Sequence, residues 1–187
     1  MGREIWIVTE YDQKGLTNLT RELMGIGKTL TLGRGEKLCA VLLGNDDDEL
    51  VDELASFRAE RIYLAGDKKF KHYNPELHLN LFEKLIKENN PQLVIFGMTC
   101  NGRELAARLA ARLRTFFVPS CVSVKPVERD CFELTRLRHA GLVQELARRR
   151  REREHGSDAR EQDEQQHRLL ARGRGLVRVV AQGLEDR

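Results

Sequence analysis

Three things are scarce in this chain of 187 residues: long apolar runs, paired cysteines, and, beyond residue 136, aromatic side chains. No apolar stretch approaches the ~18 residues of a membrane-crossing helix, which excludes a helical membrane protein. The opening MGREIWIVTE passes straight into a strand pattern. It has neither the charged and apolar regions of a secretory signal nor the Arg/Ser bias of a transit peptide, so the expected compartment is the cytoplasm. Cys39, Cys100, Cys121 and Cys131 are widely scattered, with no C-x-x-C and no nearby His pair. That scatter argues against a disulfide framework and against a zinc site, and predicts small buried apolar side chains.

The aromatic gap divides the chain. Residues 1–136 hold 20 Lys+Arg against 20 Asp+Glu, a neutral body. Residues 137–187 hold 12 Arg and no Lys against 9 Asp+Glu, so the net charge of +3 belongs entirely to this tail. The tail also has no Phe, Tyr, Trp, Ile, Met, Asn, Thr, Cys or Pro. A segment so poor in large apolar groups cannot offset its ordering entropy, and the expectation is a mostly disordered tail with short helical stretches around residues 142–153. The missing types include those with AT-rich codons, a bias of nucleotides rather than of protein physics, which points to a segment read out of frame. The competing readings are a solvated extension and a basic arm for nucleic acid. Near-balanced charge and the lack of stacking aromatics disfavour the arm.

The body alternates strand and helix patterns. Residues 4–9 form the first expected strand, with Trp6 and Val8 on one side. Thr17 caps a helix carrying Leu19, Leu23, Ile26 and Leu30 on one face, and Gly33-Arg34-Gly35 ends it. Residues 37–43 form a second buried strand. Asn45 and Asp46–Asp48 suit the start of a helix over residues 49–57, followed by a strand at 61–65. Asn74 and Pro75 open the next helix, whose expected apolar stripe is Leu77, Leu81, Leu85, Phe82 and Ile86. Residues 93–98 then form an apolar strand broken only by Gly97 and without polar alternation, as a parallel sheet covered on both faces requires. Leu105, Leu109 and Leu113 mark a helix starting near Gly102. Residues 117–127 give a fifth strand and residues 131–135 begin a sixth. Such alternation implies a doubly wound, three-layer parallel α/β sheet.

Several motifs have plainer explanations than chemistry. Gly25-Ile26-Gly27-Lys28-Thr29 looks like part of a phosphate loop, but Glu22 occupies the place of the leading glycine and the segment lies within a helix pattern. The run Asp46–Glu49 reads as helix capping rather than a cation site. Lys68, Lys69, Lys71 and His72 around Phe70 and Tyr73 read as a solvated loop. No nucleophile–base pair and no pair of catalytic carboxylates is visible. The loop at residues 97–103 lies where open α/β sheets place ligands, with Gly97, Thr99, Gly102 and Arg103 as the candidate contacts. Thr99 or Asn101 caps the helix. Arg103, opposing the helix dipole, calls for an anionic partner in the domain, on another subunit or on a nucleotide.

Four segments resemble the N-terminal domain of the alpha subunit of electron transfer flavoproteins. EIWIVTEYDQKGLTNLTRELMGIGKTL is similar to that family's first strand, acidic turn and first helix, and KLCAVLLGNDDDELVDELASFRAERIYLAGD to its second strand, helix and third strand. FGMTCNGRELAARLAARL carries its most specific signature, at Gly97, Thr99, Gly102, Arg103, Glu104, Leu105, Ala106, Arg108, Leu109 and Ala110. SCVSVKPVERDCFELTR is similar to the strand and hairpin that follow. The likeness covers about residues 1–136, after which LRHAGL departs from the family pattern. The resemblance implies a Rossmann-like, adenine-nucleotide-binding-like fold, docking with a beta subunit as a heterodimer, and electrons received from acyl-CoA-type dehydrogenases. It implies an electron carrier rather than a catalyst. FAD belongs to a second domain not recognisable here, so this chain alone is expected to bind none. The rival expectations are a stand-alone AMP- or ATP-binding module and an inactive truncated product. No metal and no membrane contact is expected.

Overall fold

The computed structural model describes residues 3–128, 131–138, 143–149 and 178–182. β1 (Arg3–Val8) leads through a two-strand hairpin, β2 (Tyr11–Asp12) and β3 (Gly15–Leu16), into α1 (Asn18–Thr31). β4 (Glu36–Leu43), α2 (Asp48–Ser56) and β5 (Arg61–Ala65) follow, then α3 (Pro75–Asn89), β6 (Leu93–Gly97) and α4 (Cys100–Leu113). β7 (Phe116–Glu128) and β8 (Cys131–Arg138) form an antiparallel pair, extended by β9 (Val143–Arg149). β10 (Arg178–Gln182) completes one sheet of order β5-β4-β1-β6-β10-β7-β8-β9.

The sheet is parallel from β5 across to β7. From β1 the chain winds outward to β4 and β5, then returns to β6 on the other flank of β1. That is the doubly wound α/β architecture, Rossmann-like, and it places a topological switch point between β1 and β6. The antiparallel β7-β8-β9 end departs from an all-parallel sheet.

Both faces of the sheet are covered, which explains why β6 and, past their first two residues, β1 and β4 are apolar on both sides of the period-2 alternation. Ile5, Ile7, Leu38, Ala40, Leu42 and Ile95 meet Leu23, Met24 and Leu30 of α1 and Leu50 and Leu54 of α2. On the opposite face Trp6, Cys39, Val41, Val94 and Phe96 meet α3 through Phe82 and Ile86, and α4 through Leu105 and Leu109. Three layers follow because each strand has two faces to cover.

The helix signals are realised by their caps. Thr17 accepts from the Thr20 amide, Asp47 from Glu49, Asn74 from Leu77 and Thr99 from Gly102. Asp47 is thus a cap within the acidic run, and among the described residues no group of three or more His, Cys, Asp or Glu is placed to hold a metal ion. Gly25 to Thr29 lies inside α1, where a side chain at Gly27 would stand 2.5 Å from Leu38 Cδ1. This glycine permits close helix–sheet packing rather than phosphate binding.

Three expectations need correction. The buried face of α3 is His78, Leu79, Phe82 and Ile86, while Leu77 is exposed; the helix is rotated by about one residue from the leucine stripe. α4 begins at Cys100 rather than near Gly102, because Thr99 is the cap. In the stretch expected to be disordered, residues 143–149 and 178–182 are strands, and β10 is hydrogen-bonded between β6 and β7. The remainder of that stretch, including the helical readings at 142 and 150–153, lies outside the described residues, as do the side chain and surroundings of Cys131.

Candidate functional site

The carboxyl ends of β1, β4 and β6 surround a cavity of about 230 Å³ at the switch point. Its floor is set by the last residues of β1. Thr9 is anchored twice to the Val41 carbonyl, by its amide at 3.1 Å and its hydroxyl at 2.9 Å. Glu10, next in the chain, is clamped onto α1. Its amide donates to Thr20 Oγ1 at 2.8 Å, and its carbonyl accepts from that hydroxyl at 2.8 Å and from the Thr17 amide at 3.0 Å. Thr20 is buried, so these bonds are shielded from water.

The same residue ties the β1 loop to the β6 loop. Thr99 Oγ1 donates to Glu10 Oε1 at 2.6 Å and accepts from the Gly102 amide at 3.0 Å. A short O–H···O⁻ bond of this kind is among the stronger hydrogen bonds. Gly102 is required by distance: a Cβ there would stand 2.3 Å from the Gly97 carbonyl oxygen and 3.3 Å from Glu10 Oε1. At Gly97 the same test meets the flexible end of Leu19 at 2.7 Å. The glycines of the loop therefore serve packing around a carboxylate supplied by the chain itself. That carboxylate lies beside the α4 N-terminus, where a bound phosphate would otherwise be favoured.

The outer wall comes from the segment read as a solvated loop. Lys68, Lys69, Lys71 and His72 are exposed as expected, but Phe70 and Tyr73 turn inward and, together with Lys71, line the cavity. They can do so because Gly44, at φ +76°, lets the backbone of Phe70 and Lys71 approach; a Cβ there would lie 2.5 Å away. Burial, aided by the Glu104 charge, pushes the Tyr73 phenol up to about 12. His78 lies against both rings, with centroids 5.7 Å from Phe70 and 5.2 Å from Tyr73. It is 7% exposed, and burial holds its pKa below the ordinary histidine value. Its Nδ1 lies 2.9 Å from the Asn74 carbonyl and 3.3 Å from the Asn74 amide.

Gly97, Thr99 and Gly102 thus come together as the sequence suggested, whereas Arg103 does not join them. It is exposed in the first turn of α4 and makes no ion pair among the described residues. Further along the helix Arg108 pairs with Glu104 and Glu76, and Arg112 with Glu83 and Glu76. Glu10 and His78 were absent from the candidates named above. Glu10 carried a usable signal, a carboxylate directly after a buried strand. His78 had none, because the leucine spacing of α3 points one residue away from it.

A Rossmann-like sheet with a cavity at its switch point defines the class. Within it, residues 5–149 match the electron transfer flavoprotein domain. The chain belongs to the electron transfer flavoprotein family. It is 32% identical over 124 residues to electron transfer flavoprotein subunit alpha of Bacillus subtilis (strain 168), covering 66% of this chain and 38% of that protein. To subunit alpha of Thermoanaerobacterium thermosaccharolyticum it is 31% identical over 134 residues, 72% of this chain and 41% of the relative. To the acryloyl-CoA reductase electron transfer subunit beta of Anaerotignum propionicum it is 31% identical over 119 residues, 64% of this chain and 32% of the relative. The chain therefore spans about a third to two-fifths of the length of these relatives. Among the described residues no helix is long and apolar enough to cross a membrane.

Proposed function

We propose that this domain is a docking module of an FAD-dependent electron carrier, pairing with a beta subunit in the cytoplasm and serving acyl-CoA-type dehydrogenases. The observation that carries the docking reading is Arg103. A guanidinium in the first turn of a helix opposes the dipole, and this one makes no ion pair with a carboxylate among the described residues. A partner's carboxylate would complete it by a paired, charge-assisted bond. The acyl-CoA link draws support from the relative named for acryloyl-CoA reductase.

The described residues do not suit the pyrophosphate of FAD. The first connection after β1 presents Thr9, Glu10 and Tyr11 where a dinucleotide fold uses glycines and free amides, and the Glu10 carboxylate stands beside the α4 N-terminus. No electron-transfer step is assigned to this chain's own side chains, and the flavin belongs to another part of the assembly. The same geometry weighs against a phosphate-cradling AMP or ATP module at residues 97–103.

Co-expression with a family beta subunit, followed by affinity purification, tests this reading. The expected result is a stable complex that Arg103→Ala weakens by roughly ten- to a hundredfold in Kd, the effect of losing a charge-assisted bond. Unchanged association of the variant would remove Arg103 from the interface. Stoichiometric flavin absorbance in the isolated chain would overturn the assignment of FAD elsewhere.

A further inference from the structure

We propose that the free edge of β5 is an interface for a second copy of this chain, pairing antiparallel about Tyr63 and carrying the sheet across both molecules. The proposal is independent of beta-subunit docking, which rests on Arg103 at the start of α4.

β5 stands at one end of the strand order, hydrogen-bonded to β4 on one side and to no other strand among the described residues. The Glu60 amide donates to the Leu38 carbonyl, so the alternation of the ladder turns the backbone groups of Arg61 and Tyr63 outward. Edges that resist pairing carry a proline, a lysine or a bulge. β5, of sequence RIYLA, has none of these, and its one charge, Arg61, is held by Glu4. Leu64 lies opposite Leu42 on the α1 and α2 face, yet it is 48% exposed because no strand lies beyond it.

The leucine stripe of α3 lies beside this edge. Leu77, Leu81 and Leu85 recur every fourth residue, but the helix turns His78, Leu79, Phe82 and Ile86 to the core. Glu76, Asn80 and Glu83 face α4 through bonds to Arg108 and Arg112. The helical turn therefore puts the stripe on the outer flank of α3 that points away from α4, toward β5. Leu77 is exposed there and Leu81 and Leu85 are half-buried.

A second copy suits both features, because the edge is complementary to itself. An antiparallel pair centred on Tyr63 makes Tyr63 its own partner, exchanging two backbone bonds. It sets Ile62 opposite Leu64 of the second copy, and the two-fold axis repeats that apolar pair. Arg61 comes diagonal to Asp67 of the second copy, also twice, so exposed charges of opposite sign flank the apolar centre. Residues directly opposite share a face, which places both α3 helices on the same side of the joined sheet with their leucine stripes turned toward one another. A foreign extended peptide would satisfy the backbone and leave the stripe bare.

Sedimentation velocity of the full 187-residue chain tests the pairing. A monomer–dimer equilibrium is expected between about 1 and 100 µM, as suits a small interface. Leu64→Lys, which puts a charge on the exposed edge, should weaken the dimer by roughly tenfold or more. Disulfide trapping reads the register, in a Cys100→Ser background that removes the exposed thiol. Mixed Ile62→Cys and Leu64→Cys chains should cross-link several-fold faster than either chain alone, since only the unlike pair stands opposite at about 4.5 Å between Cα atoms. Far-UV circular dichroism checks that the variants fold; if Leu64→Lys does not, the trapping decides, and if a cysteine variant does not, Leu64→Lys decides. A monomer throughout the range, a dimer that Leu64→Lys leaves intact, or cross-linking no faster in the mixture would each overturn the proposal. A chain that stays monomeric alone and gains hydrogen-exchange protection at β5 only with a beta subunit would assign the edge to a foreign strand, and would overturn it as well.

Discussion

A glutamate stands at each end of β1, and the two live in opposite circumstances. Glu4, where the strand begins, is buried and saturated. Its Oε2 accepts from Trp6 Nε1 and Tyr63 OH, both at 2.7 Å, and its Oε1 from Arg61 at 2.8 Å. Glu10, just past the carboxyl end, is half-buried, with one oxygen engaged and the other open beside a cavity. The same side chain is a structural clamp at one end of a parallel sheet and a candidate ligand contact at the other. The difference lies in topology: β5 and its neighbour β4 close over the amino end through Arg61 and Tyr63, while the chain reversal between β1 and β6 leaves the carboxyl end open.

Replacing the two glutamates measures that difference most directly. Glu4→Ala leaves the fully buried Trp6 N–H without its acceptor, strips Arg61 of its carboxylate and leaves the Tyr63 hydroxyl only the longer bond to Asn89. It should cost about 2–4 kcal/mol by urea unfolding, against about 1 kcal/mol or less for Glu10→Ala. Equal costs would mean that Glu10 is a clamp as well.

Glycine substitutions give the next largest effect. Gly102→Ala drives a methyl into the Gly97 carbonyl and should cost about 1–3 kcal/mol. Gly25→Ala, with nothing within 4 Å in mid-helix, should instead stabilise by about 0.5–1 kcal/mol. A loss at Gly25 comparable to that at Gly102 would give that glycine a close-contact role the structure does not show.

The cavity end should also be the more pH-sensitive. Burial lowers the His78 pKa, so on acidification the unfolded chain takes up this proton before the folded one. Stability from this residue is complete above the unfolded value of about 6.5 and is lost as pH falls through it. Between about pH 7.5 and pH 5.5 the urea midpoint of the unaltered protein should fall further than that of His78→Phe. Parallel falls would remove His78 as the source.

The smallest effect is one of reactivity. Burial pushes the Cys39 thiol up to about 12 and the Cys121 thiol to about 11, whereas Cys100 is exposed at the start of α4. Of these three, Cys100 should alkylate first, as read by peptide mass spectrometry. Faster labelling of Cys39 would show that the amino end of the sheet opens readily.

Much of the fold was written in local signals. Asn74-Pro75 opens α3, Thr17 caps α1, and the run at residues 93–97 is buried on both sides, because caps and apolar periodicity act over a few residues. The site was legible only in its packing parts: Gly97, Thr99 and Gly102 sit together, and the motif spacing was sufficient to find them. Glu10 joins Thr99 across 89 positions, and no local pattern encodes such a pairing. Phe70 and Tyr73 read as solvated because lysines surround them, yet Gly44, some 26 positions earlier, opens the space that turns them inward.

By itself, then, the sequence determined the alternation of elements, the caps, the two-faced strands and the family. Tertiary structure decided which face of α3 is buried, where β10 lies in the sheet, and that a histidine, a glutamate and five aromatic rings border one cavity. Local order depends on neighbours three or four residues apart. A cavity at a switch point depends on strands meeting in an order that no short stretch of chain contains.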